Sequence, residues 1–464
     1  MHKTNRFGLA LLVVIAITLP AFAQVREENV RAQLNFLASD AMQGRGSGTV
    51  YERIAAEYMG AQFRQFGLEP GGDTDSAGNK SFVQRVPLES AKFTEAPVLT
   101  ITDGTNTHKW QFGRDFLVSF LSSSKIEGEL QVIDPEGTFK KDAIVAVKLP
   151  PGASQQQRQD AVRKARTSDA AAVILIETEA NQKTREAGNA RLPNLPPRVG
   201  GTQGSPFAVI SLRKDALDTL LALPAGAKVE FAGATETGDA SATWNAIGVL
   251  RGSNPNEAIV LSAHLDHLGV NDSLTGDKIF NGADDDASGC VAVQELARVL
   301  AGGKRPRRTI YFVGFGSEER GGFGSRHFIA NPPIPLTQIV ADVHFEMLGR
   351  PDPKVASGLW LTGYERSNLG AQLVKQGASL VADPRPEQSF FQRSDNYAFA
   401  VRGVIAHTVS SFGLHTDYHR PTDDASKIDF PFMTRSINSL VRPVRWLANS
   451  SFRPAWLPGQ APTR

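Results

Sequence analysis

Residues 258–269 read AIVLSAHLDHLG, and 281–290 read NGADDDASGC. The apolar run Ile259–Leu261 predicts a short buried strand, and the polar groups His264, Asp266 and His267 come directly after it. From Cys290 the run CVAVQELARVLA carries Ala292, Leu296, Val299 and Leu300 at helical spacing, so a helix follows. The pattern then repeats in TIYFVGFGSEERGG (309–322), IVADVHFEMLGR (339–350), a helix near Ser367 to Gln376, and GVIAHTVSS (403–411). Strands alternating with helices predict an α/β fold, a mixed and largely parallel sheet flanked by helices. In such sheets, sites gather beyond the carboxyl ends of the strands.

The polar residues at those ends share one chemistry. Three adjacent aspartates, Asp284 to Asp286, repel one another and lose hydration if buried, so a positive group should sit among them. One of them could cap the following helix, but a cap accounts for one carboxylate and not three. Glu318 and Glu319 follow the strand Ile310–Phe315, and paired glutamates can divide labour between holding a cation and moving a proton. Glu346 ends IVADVHFEM, where strand alternation places Asp342, His344 and Glu346 on one face, leaving Asp342 and His344 as alternative donors. DYHRPTDD contributes His419 and Asp423. Each alone reads plainly as a surface acid, a cap or a core histidine; together they match the nitrogen and oxygen donors that a pair of Zn²⁺ ions takes.

At 464 residues the chain is long enough for two or three folding units. With 50 Lys and Arg against 48 Asp and Glu, and no long basic run, nothing points to nucleic acid. The start, MHKTNRFGLALLVVIAITLPAFAQ, has a cationic head, an apolar stretch and small residues before Gln24, and predicts a secretory signal over 1–23. An uncleaved anchor is the alternative, but the apolar stretch is short for a span, and no stable membrane insertion is expected once the signal is removed. Cys290, the single cysteine, excludes an internal disulfide and reads as a small buried side chain. These features predict an exported protein, periplasmic or extracellular.

Behind the signal, Val30, Leu34 and Leu37, then Ile54, Ala55, Met59 and Phe63, predict two helices around the turn GRGSGT (44–49). That turn lacks the Lys-Ser/Thr ending of a phosphate loop and is expected to be a plain turn. From about Lys109 to Ala240 short apolar runs (130–133, 143–149, 170–177) and one helix, Gln155 to Arg166, predict an inserted β-rich unit over 111–239 with no chemistry of its own. The remaining domain is then discontinuous, 24–110 with 240–455, and 456–464 form a tail.

The segments AHLDHLG, NGADDDASG, FGSEERGGFGS, FEMLGR, RSDNYAF and YHRPTDD, in this order, resemble those of the M28 family of di-zinc peptidases, and the insertion resembles a protease-associated (PA) domain. The resemblance implies a di-zinc exopeptidase fold holding two Zn²⁺ per chain and acting on peptide substrates. It implies His264 and Glu346 as ligands of one ion, Glu319 and His419 of the other, and Asp284 as the bridge, joined to Asp285 through a cis peptide. It further implies Glu318 as general base to a water, Asp266 as the group orienting His264, and Tyr418 as a donor to the developing oxyanion. Asp285, Asp395 and Asp423 are expected behind the ligands or at the substrate pocket. Glu346 departs from the family, where Asp is common, and Asp424 stands where Thr is common.

His267, His327 and His407 are expected to be structural or to support the ligands from behind rather than to be ligands, and His415 lies near enough to His419 to touch substrate. Ser394-Asp395 lacks a nucleophile elbow, which argues against a serine hydrolase. The leading expectation is an aminopeptidase releasing N-terminal residues. A carboxypeptidase or dipeptidase is the alternative on the same scaffold, glutaminyl cyclases fit less well because they use one zinc, and a catalytically silent peptide-binding module would require lost ligands.

Overall fold

The computed structural model describes residues 24–462 except 105, 200–205, 225, 239, 356 and 357. The expected signal over 1–23 lies outside the described residues. Among the described residues no helix is long and apolar enough to cross a membrane. Two compact units emerge: one made of the described residues up to Val86 together with those from Thr243 onward, the other of Pro87–Ala242.

The first unit is built on a mixed sheet with α-helices on both sides. Seven of its strands are β1 (Ser241–Leu250), β2 (Asn254–His264), β3 (Arg308–Phe315), β4 (Ile339–Phe345), β5 (Leu359–Leu361), β6 (Leu380–Ala382) and β7 (Ala406–Ser410). Their order across the sheet is β1-β3-β2-β4-β7-β5-β6. The centre, β3, β2, β4 and β7, is parallel, whereas β1 runs antiparallel to β3 and β5 antiparallel to β7, with β6 parallel to β5. Every residue of β3, β4 and β7 is buried, as expected of parallel strands covered on both faces.

Alternation sorts these side chains onto two cores. Ile259, Leu261, Ile310 and Phe312 pack with the helices α1 (Glu27–Leu37), α2 (Val50–Gln65), α3 (Gly289–Ala301) and α4 (Phe430–Asn449). Val260, Tyr311, Val313 and Phe315 face the other way, against Phe328 and Phe399. Each large apolar side chain so enclosed contributes roughly 1.5–3 kcal/mol. In α2 the buried stripe is Ala55, Met59 and Phe63; Ile54, counted with it in the sequence, is one residue off that stripe and 39% exposed. The parallel centre brings the carboxyl ends of β2, β3, β4 and β7 to one edge, and α3 starts against that edge. A Cβ at Gly289 would run into the Phe345 carbonyl and the Asp286 carboxylate, so only glycine lets α3 begin there.

The second unit has its own eight-stranded sheet and its own apolar core, centred on Ile144–Val147, Ala172–Ile176 and Ala208–Leu212. The sequence starts the insertion at 111, but Val98–Asp103 pairs with both Asn106–Gln111 and Lys228–Ala232, so these strands lie inside the unit and its first residue is Pro87. The helix expected over 155–166 is Gln155–Thr167, with a capping box at Ser154.

Candidate metal centre

Four strand ends and one turn deliver the polar groups. His264 is the last residue of β2, Glu318 and Glu319 follow β3, Glu346 follows β4, and His419 sits in the loop after β7. Asp285 lies in the turn Ala283–Ser288 that leads into α3. Two donor clusters form, His264 with Asp285 and Glu346, and His267 with Asp285 and Glu319, the donor atoms of each lying within 4.8 Å of one another.

Asp285 belongs to both. Its Oδ1 is 3.2 Å from His264 Nε2, and its Oδ2 is 3.3 Å from His419 Nε2, which is also 3.3 Å from Glu319 Oε1. The sequence puts the shared carboxylate at Asp284 and the cis bond before Asp285; the structure puts Asp285 at the junction and the cis bond between Asp285 and Asp286. The neighbouring carboxylates are claimed elsewhere. Asp284 accepts from Gly349 N at 2.7 Å and from His415 Nε2 at 3.0 Å. Asp286 accepts the backbone N–H groups of Gly289 and Met347, both at 3.0 Å, and of His264 at 3.2 Å. The three aspartates therefore do three jobs: Asp284 holds a loop, Asp285 faces the cavity, and Asp286 ties the start of α3 to the ends of β2 and β4.

The donor set fits cations. Nε2 of His264, His267 and His419 are buried without a hydrogen-bond partner, and those of His264 and His419 stand 3.2–3.3 Å from carboxylate oxygens. Four ligands at about 2.0–2.1 Å from a tetrahedral Zn²⁺ lie about 3.3 Å from one another. The charges point the same way. Burial pushes the Glu318 carboxyl well above its ordinary range, and lifts Glu346 to about 7 and Asp286 well up. Burial works against a charged His419, yet Asp285 and Glu319 raise it to about 10. Protons thus occupy positions that a dication would compete for.

Asp266 acts differently from the expectation. Its carboxylate is 3.8 Å from His264 Nδ1, and the backbone carbonyl of Asp266 takes that N–H at 3.1 Å instead. The carboxylate accepts Glu318 N at 2.9 Å, Glu319 N at 3.3 Å and the Ser47 hydroxyl, so it orients the paired glutamates. Asp423 accepts the backbone N–H groups of Asp284 and Asp285 and fixes the aspartate turn from behind. Asp395 accepts from Ser325 Oγ and stands outside both donor clusters, with Oδ2 buried and unpartnered. Tyr418 stacks on His419, ring centroids 3.8 Å apart, and Arg393 Nη2 donates to its hydroxyl at 3.4 Å.

His267, expected to be structural or to stand behind the ligands, lies with Nδ1 2.9 Å from Glu319 Oε1. Two residues of the site, Arg45 and Ser47, escaped the sequence. Arg45 is fully buried and donates to the carbonyls of Leu37, Leu265, Asn281 and Gly282, holding a positive charge beneath the acidic turn. The turn GRGSGT is thus a support for the site through Arg45 and Ser47. Its signal in the sequence is an arginine and a hydroxyl among glycines, too common a pattern to assign. Cys290 is buried as expected, its thiol donating to the His264 carbonyl at 3.0 Å, and His407 is held by Ser367 and Thr362 in a structural role.

A cavity opens onto Asp285, Glu318, Glu319 and Glu346, and its other wall is apolar, with Trp360 and Phe412 among its side chains.

Residues 245–442 match the sequence profile of peptidase family M28, a span that contains every residue of both donor clusters. This segment is an M28 peptidase domain. In sequence, an aminopeptidase of Pseudomonas aeruginosa is 33% identical over 113 residues, 24% of this chain and 19% of that protein. Leupeptin-inactivating enzyme 1 of Streptomyces exfoliatus is 31% identical over 121 residues, 26% of each. The chain thus matches about a fifth to a quarter of the length of these curated relatives. In fold, an aminopeptidase from Aneurinibacillus sp. strain AM-1 aligns with a TM-score of 0.52 at 21% identity, over 96% of this chain and 98% of that one. A zinc aminopeptidase from Bacillus subtilis aligns with a TM-score of 0.52 at 17% identity, over 93% and 97%. The M28 domain therefore carries the mixed α/β architecture of these structures.

Proposed function

We propose that the chain is an exported metallopeptidase that holds two zinc ions and releases N-terminal residues from peptides. The observation that carries this is the placement of Asp285, whose two oxygens face two different histidines, each with a buried, unpartnered Nε2. His264 and Glu346 would hold one ion, Glu319 and His419 the other, and Asp285 both, with His267 fixing Glu319. Bound there, the ions would acidify a water and polarise the scissile carbonyl.

The chain's own groups supply the rest. Glu318 lines the cavity beside Asp285 and Glu346, and its raised pKa suits a carboxylate that takes a proton from water and returns it to the leaving amine. Asp266 sets the direction of that carboxylate through the Glu318 backbone N–H. Tyr418, fixed by stacking on His419, presents its hydroxyl to an oxyanion forming in the cavity. The apolar wall of Met347, Trp360, Phe390 and Phe412 favours an apolar side chain on the residue released.

A second reading, carboxypeptidase or dipeptidase, is favoured by Arg393. It lines the same cavity, lies over the Phe390 ring at 4.9 Å, and has no acidic partner among the described residues, leaving a guanidinium free for a substrate carboxylate.

The test is hydrolysis of aminoacyl anilides beside N-blocked peptides with free C-termini, before and after chelation and zinc restoration. Cleavage of the unblocked anilides that disappears with chelator and returns with zinc supports the aminopeptidase. Cleavage confined to blocked peptides moves the assignment to the second reading, and inactivity on both with zinc bound rejects catalysis. Export through residues 1–23 is checked by fractionating cells that express the full chain.

A further inference from the structure

The buried stripe of α2 runs through positions 52, 55, 56, 59 and 63, and the first of these is a carboxylate where an apolar side chain would serve the helix. Glu52 is fully buried, and the groups that meet its oxygens are neutral. Its Oε1 accepts from Thr243 Oγ1 at 2.7 Å and from the backbone N–H of Ser317 at 2.8 Å, and its Oε2 accepts Gly48 N at 2.9 Å. A carboxylate enclosed without a cation is costly, and plain packing at this place would not need one.

What Glu52 holds is the joint before the paired glutamates. Ser317 stands two residues past the end of β3 with φ at 56°, in the left-handed region that disfavours every residue with a side chain. Its carbonyl is held as well, accepting Gly322 N at 2.9 Å and Phe323 N at 3.3 Å. Four consecutive N–H groups are thus each claimed by a buried side chain: Gly316 by Asn245 Oδ1 at 3.1 Å, Ser317 by Glu52, and Glu318 and Glu319 by Asp266. The two carboxylates are tied to each other through adjacent residues, since the Ser47 hydroxyl donates to Asp266 and Gly48 N to Glu52. A Cβ at Gly316 would run into Thr243 Oγ1 and Glu52 Oε1, so the strand end rests directly on this carboxylate.

We propose that Glu52 is a positioning residue for catalysis, which holds the left-handed turn at Ser317 and so fixes the direction in which Glu318 enters the cavity. The inference rests on the reading of Glu318 as the group that moves the proton.

The physical reason is leverage. Glu318 hangs on the residue after the joint, so a change of φ at Ser317 swings its whole side chain, and misplacing a reacting group by about 1 Å can cost about 10²-fold in rate. Asp266 grips the N–H groups beyond the joint and Glu52 the one at it, so neither replaces the other. A glutamine at 52 would keep an acceptor on Ser317 N, while Gly48 is exposed and its N–H can turn to water.

The test measures kcat and KM of zinc-saturated full-length protein on an aminoacyl anilide, with amide hydrogen exchange over 316–319 in the metal-free protein. Glu318→Gln comes first; if it keeps full kcat, the reading of Glu318 fails before Glu52 is judged. Given a slow Glu318→Gln, Glu52→Ala should lower kcat about 10- to 100-fold with KM within about threefold, and quicken exchange over 316–319. Placed in the Glu318→Gln background, Glu52→Ala should cost nothing further, because it acts through Glu318 alone; general damage to the fold would cost the same in both backgrounds. Glu52→Gln should stay within about threefold of the unaltered kcat. If Glu52→Ala does not fold, Glu52→Asp, which withdraws the carboxylate by about 1.5 Å, takes its place with the same expectations. Unaltered kcat in the folded variant, an equal fall in both backgrounds, or a Glu52→Gln as slow as Glu52→Ala overturns the inference.

Discussion

His415 donates through Nε2 to Asp284 Oδ2 over 3.0 Å, and this bond pins one end of the loop that carries Tyr418 and His419. The other end is pinned by Asp423, which accepts the backbone N–H groups of Asp284 and Asp285. The aspartate turn and the histidine loop hold each other in place.

The consequence separates two adjacent aspartates. Asp285→Ala should lose both zinc ions, because both donor clusters share it. Asp284→Ala should keep two equivalents but weaken the site served by His419 about 10- to 100-fold, as the loss of a supporting hydrogen bond does elsewhere. Zinc content by atomic emission, followed by competition with a chelator, distinguishes them.

Glu318 accepts no cation in the proposed arrangement and only moves a proton. Glu318→Gln should retain both zinc ions while kcat falls about 10²- to 10⁴-fold. Equal loss of metal and activity would reassign Glu318 as a ligand.

Arg45 satisfies four buried carbonyls at once. Arg45→Met fills the space but leaves those carbonyls bare, each at about 1–3 kcal/mol, so destabilisation should exceed about 4 kcal/mol. A large fall in the thermal midpoint of the metal-free protein measures it without involving zinc.

A pH effect belongs to Glu257, away from the metal centre. Burial raises its carboxyl, but hydrogen bonds from Arg307, Arg308 and Arg453 outweigh this and hold it at about 2, against 4.5 when free. A depressed pKa stabilises the folded state above the unfolded value and loses that contribution as pH falls from about 5 toward 2. Glu257→Gln should therefore be less stable at pH 7, with the gap to the unaltered protein closing below pH 5 in denaturant titrations.

The strand ends were readable because a buried parallel strand is a continuous apolar run, so the first polar residues after it, His264, Glu318 or Glu346, mark where the chain leaves the sheet. The choice among Asp284, Asp285 and Asp286 was not readable. Identical side chains in a row differ only in which distant backbone N–H groups claim them, and Gly349 and Met347 are far along the chain. Arg45 was hidden for the same reason, since its partners are carbonyls, which every residue has. The family resemblance assigns Asp266 to the support of His264, whereas the fold turns its carboxylate toward Glu318 and Glu319. The start of the inserted unit was missed because Val98–Asp103 shows its allegiance only through the strand Lys228–Ala232.

Glu346, His264, Glu319 and His419 each wait on a different strand to be set before they can meet around Asp285. No fragment that ends short of His419 carries the complete set of donors. On the proposed function, a nascent or partly unfolded molecule would lack the means to cut peptides, its own exposed segments included, and hydrolytic competence would arrive only when the last loop has docked.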